Sequence, residues 1–448
     1  MSKKVIYFLV VLFFAIGIAV IFVSYKMKEA KGDNLYFALQ DRKGALAALP
    51  EWTVTRNQAN TLSKALKENP DDKKSAIALA SLFVQEARVT GNYSYYDLAA
   101  MKQVDHVLKL DPTNFDALLF KALIHLSQHH FSDGLAVATQ AQQINPYNAF
   151  VHGILIDANV ELGNYPEALK QAEKMISIRP DLPSYSRISY LREIHGDLPG
   201  AIAAMKLAVD AGAPGSDGTE WTRIQLGHLY ENTGDLQNAL MQYNTALDER
   251  PSYAQALAGL GHIAMAKKDY ATAIRYYQQA DSLVTDYTFK EELVDLYRLN
   301  GNAKRGDALA NDVVKTMADA AVAAQKDPTV GHYADKELAY AYLKVNNLDK
   351  ALEHALAEYN RRPENIDVNE TVAWVYYKRG SYNDALPYAE KALRTHCKSP
   401  LLLCHIGLVY AKNGQAQKAK ELLQEALKNN PAISESLKTE AAQTLKTL

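Results

Sequence analysis

The chain has 448 residues, of which 48 % are hydrophobic and 22 % are charged, proportions that are typical of a folded protein. Lys+Arg total 49 and Asp+Glu total 51, so the chain lacks the basic footprint of a nucleic-acid binder, and we predict no such partner. Its two cysteines, Cys397 and Cys404, exclude a disulfide framework, and their spacing favours core packing over a zinc ribbon.

The N-terminus begins with an apolar segment, Val5 to Val23, that contains no charged residue. At about 1.5 Å per residue it nearly spans a hydrocarbon core of roughly 30 Å. Residues 1–25 are therefore predicted to be a single-pass membrane anchor. A cleaved signal peptide is the alternative, but its best cleavage site, Gly17–Ala19, is followed by four more apolar residues, which favours an uncleaved anchor.

The charges that flank this segment point in two directions. Lys3 and Lys4 form a short basic leader, which favours export of the remainder to the extracytoplasmic (periplasmic) side. Lys26, Lys28 and Lys31 follow the segment, and the positive-inside rule would instead keep the remainder in the cytoplasm. We expect the periplasmic side, with the cytoplasmic side as the alternative. Residues 26–71 are predicted to be a helical linker or a degenerate half-repeat.

A 34-residue period runs through the rest of the chain. Pro112, Pro146, Pro180 and Pro214 are each 34 residues apart. Turns of the type Gly-Asn/Asp-Tyr/Leu recur in register with them, and the apolar residues between follow helical spacing. The pattern predicts about ten helix pairs over residues 72–431, with an extended second helix from Ala303. Residues 432–448 are predicted to be a polar capping helix.

Several markers recur together within each period. A small residue is followed three places later by an aromatic one, as in Gly227 and Tyr230 or Gly407 and Tyr410. Alanines occupy the second helix, and proline closes the unit. This pattern resembles the tetratricopeptide repeat, and residues 186–215 resemble a stretch of bacterial members of unassigned role. The resemblance implies an all-α right-handed superhelical solenoid with a concave groove that binds other proteins.

The chain shows no nucleotide-binding loop, nucleophile elbow or zinc-protease motif. We therefore predict that it is not an enzyme and needs no cofactor. His125 and His129 are four residues apart, with His130 adjacent, a spacing that suits a metal on one helix. No carboxylate or cysteine accompanies these histidines on the predicted helix, so no metal site is predicted.

The resemblance also implies which side chains line the groove, namely those at four recurring places of each first helix. Fourteen candidates follow from this register: Phe150, Asp157, Arg187, Trp221, His228, Glu231, His262, Tyr333, Lys336, Tyr340, Asp367, Glu370, Trp374 and Tyr377. Aromatic residues with few rotatable bonds are good anchors for a peptide or helix. The alternative for any one of them is packing in the core between repeats.

The function predicted from these features is that of a membrane-tethered scaffold or assembly factor that binds a peptide or helix. The lysine–asparagine pair with which some members clamp a C-terminal carboxylate is missing from the corresponding positions, which disfavours a chaperone-tail receptor. Three alternatives remain open. They are a glycan-binding module using Trp221 or Trp374, an enzyme using Asp367 and Glu370, and a spacer without partner selectivity.

Overall fold

The computed structural model describes residues 17–18, 37–326, 331–428 and 433–448. Over these residues the chain forms 22 α-helices, one 3-10 helix and no strand, which confirms the predicted all-α fold class. Within the same residues, no helix combines the length and hydropathy needed to cross a bilayer. The predicted anchor, Val5 to Val23, lies outside the described residues except for Gly17 and Ile18.

Twenty of the helices form ten consecutive helix-turn-helix pairs. The first helices are α2 (Lys73–Thr90), α4 (Phe115–Ser127), α6 (Ala149–Glu161), α8 (Leu182–Ile194), α10 (Asp217–Asn232), α12 (Ala254–Ala266), α14 (Tyr287–Leu299), α16 (Asp335–Lys344), α18 (Ile366–Arg379) and α20 (Pro400–Lys412). The second helices are α3 (Tyr93–Leu110), α5 (Phe131–Ile144), α7 (Tyr165–Ile178), α9 (Leu198–Asp210), α11 (Leu236–Glu249), α13 (Tyr270–Leu283), α15 (Ala303–Lys326), α17 (Leu348–Arg361), α19 (Tyr382–Ala392) and α21 (Ala416–Lys428). A 3-10 helix (Gly44–Ala48) and α1 (Pro50–Glu68) precede the pairs, and α22 (Glu435–Thr447) follows them.

The Gly-Asp marker ends one helix and begins the next. Gly196 and Gly234 have φ of 78° and 81°, a left-handed conformation that ends a helix and costs glycine little. The aspartate that follows each glycine caps the second helix: the Asp197 carboxylate accepts the Gly200 N–H, and that of Asp235 accepts the Asn238 N–H. The pairs are therefore defined by local chemistry at each turn.

Small residues in the first helix make room for large residues of the second. A Cβ added at Gly227 would lie 2.3 Å from the Tyr243 ring, and one added at Gly261 would lie 2.6 Å from the Tyr277 ring. Both tyrosines are buried in the core clusters, as are the alanines of the second helices. The small residue of the repeat therefore allows close packing within each pair.

Early pairs also contact pairs that lie far along the chain. The Thr285 N–H donates to the Thr90 carbonyl at 3.2 Å, which joins the turn of the first pair to the start of the seventh. In the same way, the Tyr333 N–H donates to the Gln128 carbonyl at 3.1 Å, and the Asn365 side chain donates to the Glu161 carbonyl at 3.0 Å. The second pair thus contacts the eighth and the third contacts the ninth.

We call these contacts the inter-turn seam, and it comprises residues 90–91, 127–129, 160–163 and 196 against residues 285, 331–333, 362–366 and 396. Its regular offset of six pairs means that successive turns of the superhelix pack directly on each other. Arg362 is buried in the seam and bridges the carboxylates of Glu161 and Glu358 across it. The ion pairs satisfy charges that would otherwise be buried without a partner.

Three glycines of the turns permit this close approach. An added Cβ would lie 2.4 Å from the Thr285 carbonyl oxygen at Gly91, 2.2 Å from that of Glu364 at Gly163, and 2.4 Å from that of His396 at Gly196. Among the residues that the structure describes, the corresponding glycines of late pairs, Gly380 and Gly414, have no atom within 4 Å of such a Cβ. Each early turn therefore requires glycine for two reasons: its left-handed backbone conformation and its close contact with the next turn of the superhelix.

The segment before the first pair also connects distant pairs. Arg42 is buried, and its guanidinium donates to Glu86 of α2 at 2.6 and 2.9 Å and to Glu51 of α1 at 2.8 Å. Glu51 in turn accepts hydrogen bonds from Arg250, directly after α11. Leu46 of the 3-10 helix packs in the core formed by α12, α13 and α14. Residues 37–68 therefore connect the first pair to the fifth through seventh.

Candidate binding groove

Thirteen of the fourteen predicted groove residues lie on first helices, between α6 and α18, and Tyr333 lies just before α16. Phe150 and Trp221 expose 38 % and 42 % of their surface. Asp157, Arg187, His228, His262, Lys336 and Tyr340 are partly buried, and Asp367 is exposed. Four others, Glu231, Glu370, Trp374 and Tyr377, are buried. The predicted set therefore divides into an accessible group and a core group.

Tyr190 of α8 is an exposed aromatic residue of a first helix that the sequence analysis did not select. It is 39 % exposed, yet its hydroxyl pKa is raised well above the usual value, chiefly by burial and then by the carboxylates of Asp367, Glu161 and Glu193. Tyr190 was missed because the register used for α8 selected Arg187, one helical turn earlier.

Arg187 and Asp157 form a fixed ion pair between neighbouring first helices. The Arg187 guanidinium donates from Nε to Asp157 Oδ1 at 2.8 Å and from Nη2 to Oδ2 at 2.6 Å. The same guanidinium also donates to the Gly153 and Pro183 carbonyls at 3.2 and 3.0 Å. Bidentate pairs of this kind are rigid as well as favourable. This pair therefore fixes both side chains on the wall of the predicted groove, which the first helices form, and each charge has a partner.

A histidine pair lies further along the wall. The His228 and His262 ring centroids are 6.0 Å apart, and Glu231 Oε2 lies 3.3 Å from His262 Nδ1. Burial lowers the pKa of His228 to about 4. Burial would also lower the pKa of His262, but the Glu231 carboxylate outweighs it and raises that pKa to about 9. Near neutral pH the wall therefore carries one neutral and one charged imidazole.

A cluster of charges lies where α8, α16 and α18 approach the seam. Burial alone would lower the pKa of Lys336, but the carboxylates of Asp367, Glu337 and Glu161 raise it overall. Burial raises the pKa of Glu193 to about 7, with the Asn232 hydrogen bond opposing the shift and Asp367 adding to it. Asp367 thus acts on groups of two other pairs, the fourth and the eighth, and it is itself exposed.

Trp374 and Tyr377 lie in the core instead of on the accessible wall. Trp374 stacks on His405 at 3.6 Å and on Tyr377 at 5.0 Å between ring centroids, and the Tyr377 hydroxyl donates to Glu440 of α22 at 2.7 Å. Glu370 accepts hydrogen bonds from Tyr340 and from the His405 ring. For these side chains the alternative stated above, packing between repeats, describes the structure. Trp374 therefore offers no free face to a sugar ring.

Tyr333 belongs to the inter-turn seam. Its carbonyl accepts a hydrogen bond from His129 Nδ1 at 2.9 Å, and its ring packs on His130 at 4.2 Å. The Arg361 guanidinium lies 4.5 Å from the same ring. Tyr333 is partly exposed beside these contacts, so it lies at the edge where the groove meets the seam.

The histidines of the second pair are also placed differently from the expectation. Ligand atoms of His125, His130 and Asp133 all lie within 4.8 Å of one another. The expectation that no carboxylate accompanies these histidines is therefore wrong. Asp133 was missed because the search followed one helix, whereas the carboxylate comes from the first turn of the next helix, α5.

Comparison with known proteins agrees with the repeat architecture. The family model of the tetratricopeptide repeat matches residues 224–286 and 371–432. These ranges cover the fifth and sixth pairs and the ninth and tenth pairs in part or whole. The chain contains tetratricopeptide repeats. Proteins built from tetratricopeptide repeats generally mediate protein–protein interactions.

Among curated proteins, the chain is similar to tetratricopeptide repeat protein 21A of Mus musculus, with 22 % identity over 345 residues. The match covers 75 % of this chain and 24 % of the mouse protein, so the chain spans about a quarter of the length of that relative.

Among solved structures, a thermophilic TPR protein of Thermus thermophilus shares 20 % identity, covers 46 % of this chain and 98 % of its own, and has a TM-score of 0.36. Human IFIT1, solved as a dimer with PPP-AAAA, shares 15 % identity over 77 % of this chain and 79 % of its own, with a TM-score of 0.46.

Proposed function

We propose that this chain is a membrane-tethered protein–protein interaction scaffold or assembly factor, which binds a peptide or helix of another protein along its first helices. The observation that carries the proposal is a set of exposed aromatic side chains on the first helices. Phe150, Tyr190 and Trp221 present open aromatic surface on three successive first helices. Aromatic side chains on a rigid support lose little entropy on binding, and they dominate many protein interfaces.

The charged side chains of the first helices indicate which charges the partner segment carries. The Arg187–Asp157 pair is already satisfied internally, so it contributes shape more than free charge. The exposed Asp367, by contrast, favours a basic group on the partner. The proposed partner is therefore a segment with apolar residues for the aromatic side chains and a lysine or arginine placed toward Asp367.

The tether in this proposal is the apolar segment Val5 to Val23. Confinement to a membrane would raise the effective concentration of the repeats toward partners at the same membrane. The short basic leader supports placement of the repeats on the extracytoplasmic (periplasmic) side of a bacterial membrane, and Lys26, Lys28 and Lys31 support the opposite side.

Site-specific photo-crosslinking in cells tests the binding surface. A photoreactive phenylalanine analogue is placed at Trp221, at Tyr190 or at Tyr147, which is 81 % exposed and serves as the matched aromatic control outside the first helices. We expect an adduct with one protein of defined mass from positions 221 and 190 and none from position 147. Asp367→Asn should weaken that adduct without changing the level of the protein.

Two outcomes would overturn the binding proposal. One is the same adducts from position 147 as from position 221, which would mean contact without selectivity, as expected of a spacer. The other is the absence of any protein adduct from the first helices in the cells that normally make this protein.

Protease accessibility in intact cells tests the tether, with an epitope placed after Leu448. Digestion of the repeats without lysis, together with retention of the protein in the membrane fraction, supports an exported domain. Protection until lysis would place the repeats in the cytoplasm. The orientation would then be the one that the basic residues after the segment indicate. Recovery of the whole chain in the soluble fraction would contradict the tether itself.

A further inference from the structure

The turn between α4 and α5 brings together three side chains that are suited to binding a metal. His125 lies in the last turn of α4, His130 directly precedes α5, and Asp133 lies in its first turn. One ligand atom from each lies within 4.8 Å of the other two. Two imidazoles and one carboxylate are a donor set that suits zinc and its neighbours better than calcium or magnesium.

A second observation points independently to a ligand at this turn. Nδ1 of His125 and Nε2 of His130 are buried, and among the residues that the structure describes no hydrogen-bond partner reaches either atom. The His130 side chain is only 8 % exposed. Buried polar atoms nearly always have a partner, and each exception needs an explanation. A metal ion would give both nitrogens the partner that the protein does not provide.

The geometry requires only a small adjustment to bind an ion. Ligand atoms at about 2.1 Å from a tetrahedral zinc are roughly 3.4 Å apart, whereas the three atoms lie within 4.8 Å of one another, so they must approach each other by at most about 1.4 Å. Asp133 is exposed and can make this movement by side-chain rotation. Its exposure also leaves the fourth position open to water. The His130 ring is held more firmly, since it packs on Tyr333.

We propose that His125, His130 and Asp133 form a binding site for a divalent cation of the zinc type. The ion would join the end of α4 to the start of α5 at a turn that belongs to the inter-turn seam, through the neighbouring His129 and the packed Tyr333. The site is separate from the exposed aromatic wall, so it does not depend on the function proposed above.

Metal titration of the full chain, purified in detergent without a histidine tag and stripped with a chelator, tests this site. Co²⁺ serves as the spectroscopic probe, and Zn²⁺ is then added in competition. We expect the chain to bind one equivalent of Co²⁺ and to show the visible absorption of a cobalt ion with a low coordination number. Zn²⁺ should displace this ion, and Mg²⁺ should not. Zn²⁺ should also raise the thermal unfolding midpoint.

Three variants decide the ligands. Asp133→Asn and His125→Gln should each weaken Zn²⁺ binding by at least about tenfold. His106→Gln is the matched control, because His106 pairs with Asp71 at 3.5 Å but is not one of the three clustered groups. Asp133 is exposed, so its variant is expected to fold normally even if His125→Gln does not. Absence of saturable Zn²⁺ binding, or wild-type affinity in the Asp133 variant, would overturn the proposal.

Discussion

Trp221 and Trp374 are the same residue type in two environments, although the same sequence register selected both. Trp221 exposes 42 % of its surface on α10, whereas Trp374 exposes 7 % and stacks between His405 and Tyr377. Trp374 is covered by His405 of α20 and by Tyr377, which in turn donates to Glu440 of the C-terminal helix α22. The repeat register identifies the face of a helix, and the neighbours of that helix decide whether the face is open.

This difference predicts that substituting the two tryptophans changes stability by very different amounts. Trp374→Ala should lower the free energy of unfolding by about 3–5 kcal/mol, because it leaves a cavity in the core. Trp221→Ala should change it by no more than about 1 kcal/mol, since the side chain is on the surface. Urea unfolding followed by circular dichroism measures both. Equal destabilisation by the two substitutions would contradict the division of the groove residues into accessible and core groups.

His262 owes its charge to Glu231. Burial acts on both imidazoles of the pair in the same direction, and only His262 has a hydrogen-bonded carboxylate to reverse it. Glu231 also accepts the Tyr243 hydroxyl at 2.8 Å, which fixes its position. The charge on the wall is therefore determined by a side chain on the neighbouring first helix.

Glu231→Gln should lower the pKa of His262 from about 9 to below its ordinary value of 6.5. Because the folded state binds this proton more tightly, the stabilisation is present below pH 6.5 and is lost as the pH rises through about 9. The variant should lose that pH dependence. NMR titration of the imidazole resonances measures the change. A His262 pKa that stays near 9 in the variant would show that another group holds the charge.

At the scale of the element, the helix pair depends on glycine opposite a large residue. Gly227 faces the buried Tyr243 ring, whereas an added Cβ at Gly218, in the first turn of the same helix, would have no atom of the described part of the chain within 4 Å. The two glycines share the helix α10 and neither has a positive φ. They therefore separate the packing effect of a methyl group from its effect on helix propensity.

Gly227→Ala should destabilise the chain by about 1–3 kcal/mol, because the methyl group displaces Tyr243. Gly218→Ala should be neutral or stabilising by up to about 1 kcal/mol, because alanine favours the helix. The thermal unfolding midpoints of the two variants test this directly. Stabilisation by both substitutions would mean that the pair tolerates a wider separation than the structure shows.

The helix pairs could be predicted from the sequence because their determinants are local. Gly196 and Asp197 mark a turn on their own, and the extended helix α15 was recognised from its periodicity alone. The metal-type cluster was missed because Asp133 comes from a second helix. The placement of Tyr333 was missed because its partners, Gln128 and His129, lie about 200 residues earlier. A local sequence repeat contains no information about contacts between residues that lie so far apart in the chain.

At the scale of the whole molecule, the inter-turn seam joins successive turns of the superhelix. The early turns pack on the backbone of the pair six positions later, at Thr285, Glu364 and His396. This contact is central to the proposed binding mode, because an open superhelix would present the same side chains on a wider surface.

The most direct test compares Gly163→Ala with Gly380→Ala by thermal and chemical unfolding. Both glycines have φ of 79°, so alanine costs each about 1 kcal/mol or more in backbone strain. Only at Gly163 would the methyl group also meet backbone of the next turn, 2.2 Å from the Glu364 oxygen. We predict that Gly163→Ala is more destabilising by a further ~1–3 kcal/mol. Equal loss of stability in the two variants would contradict the seam.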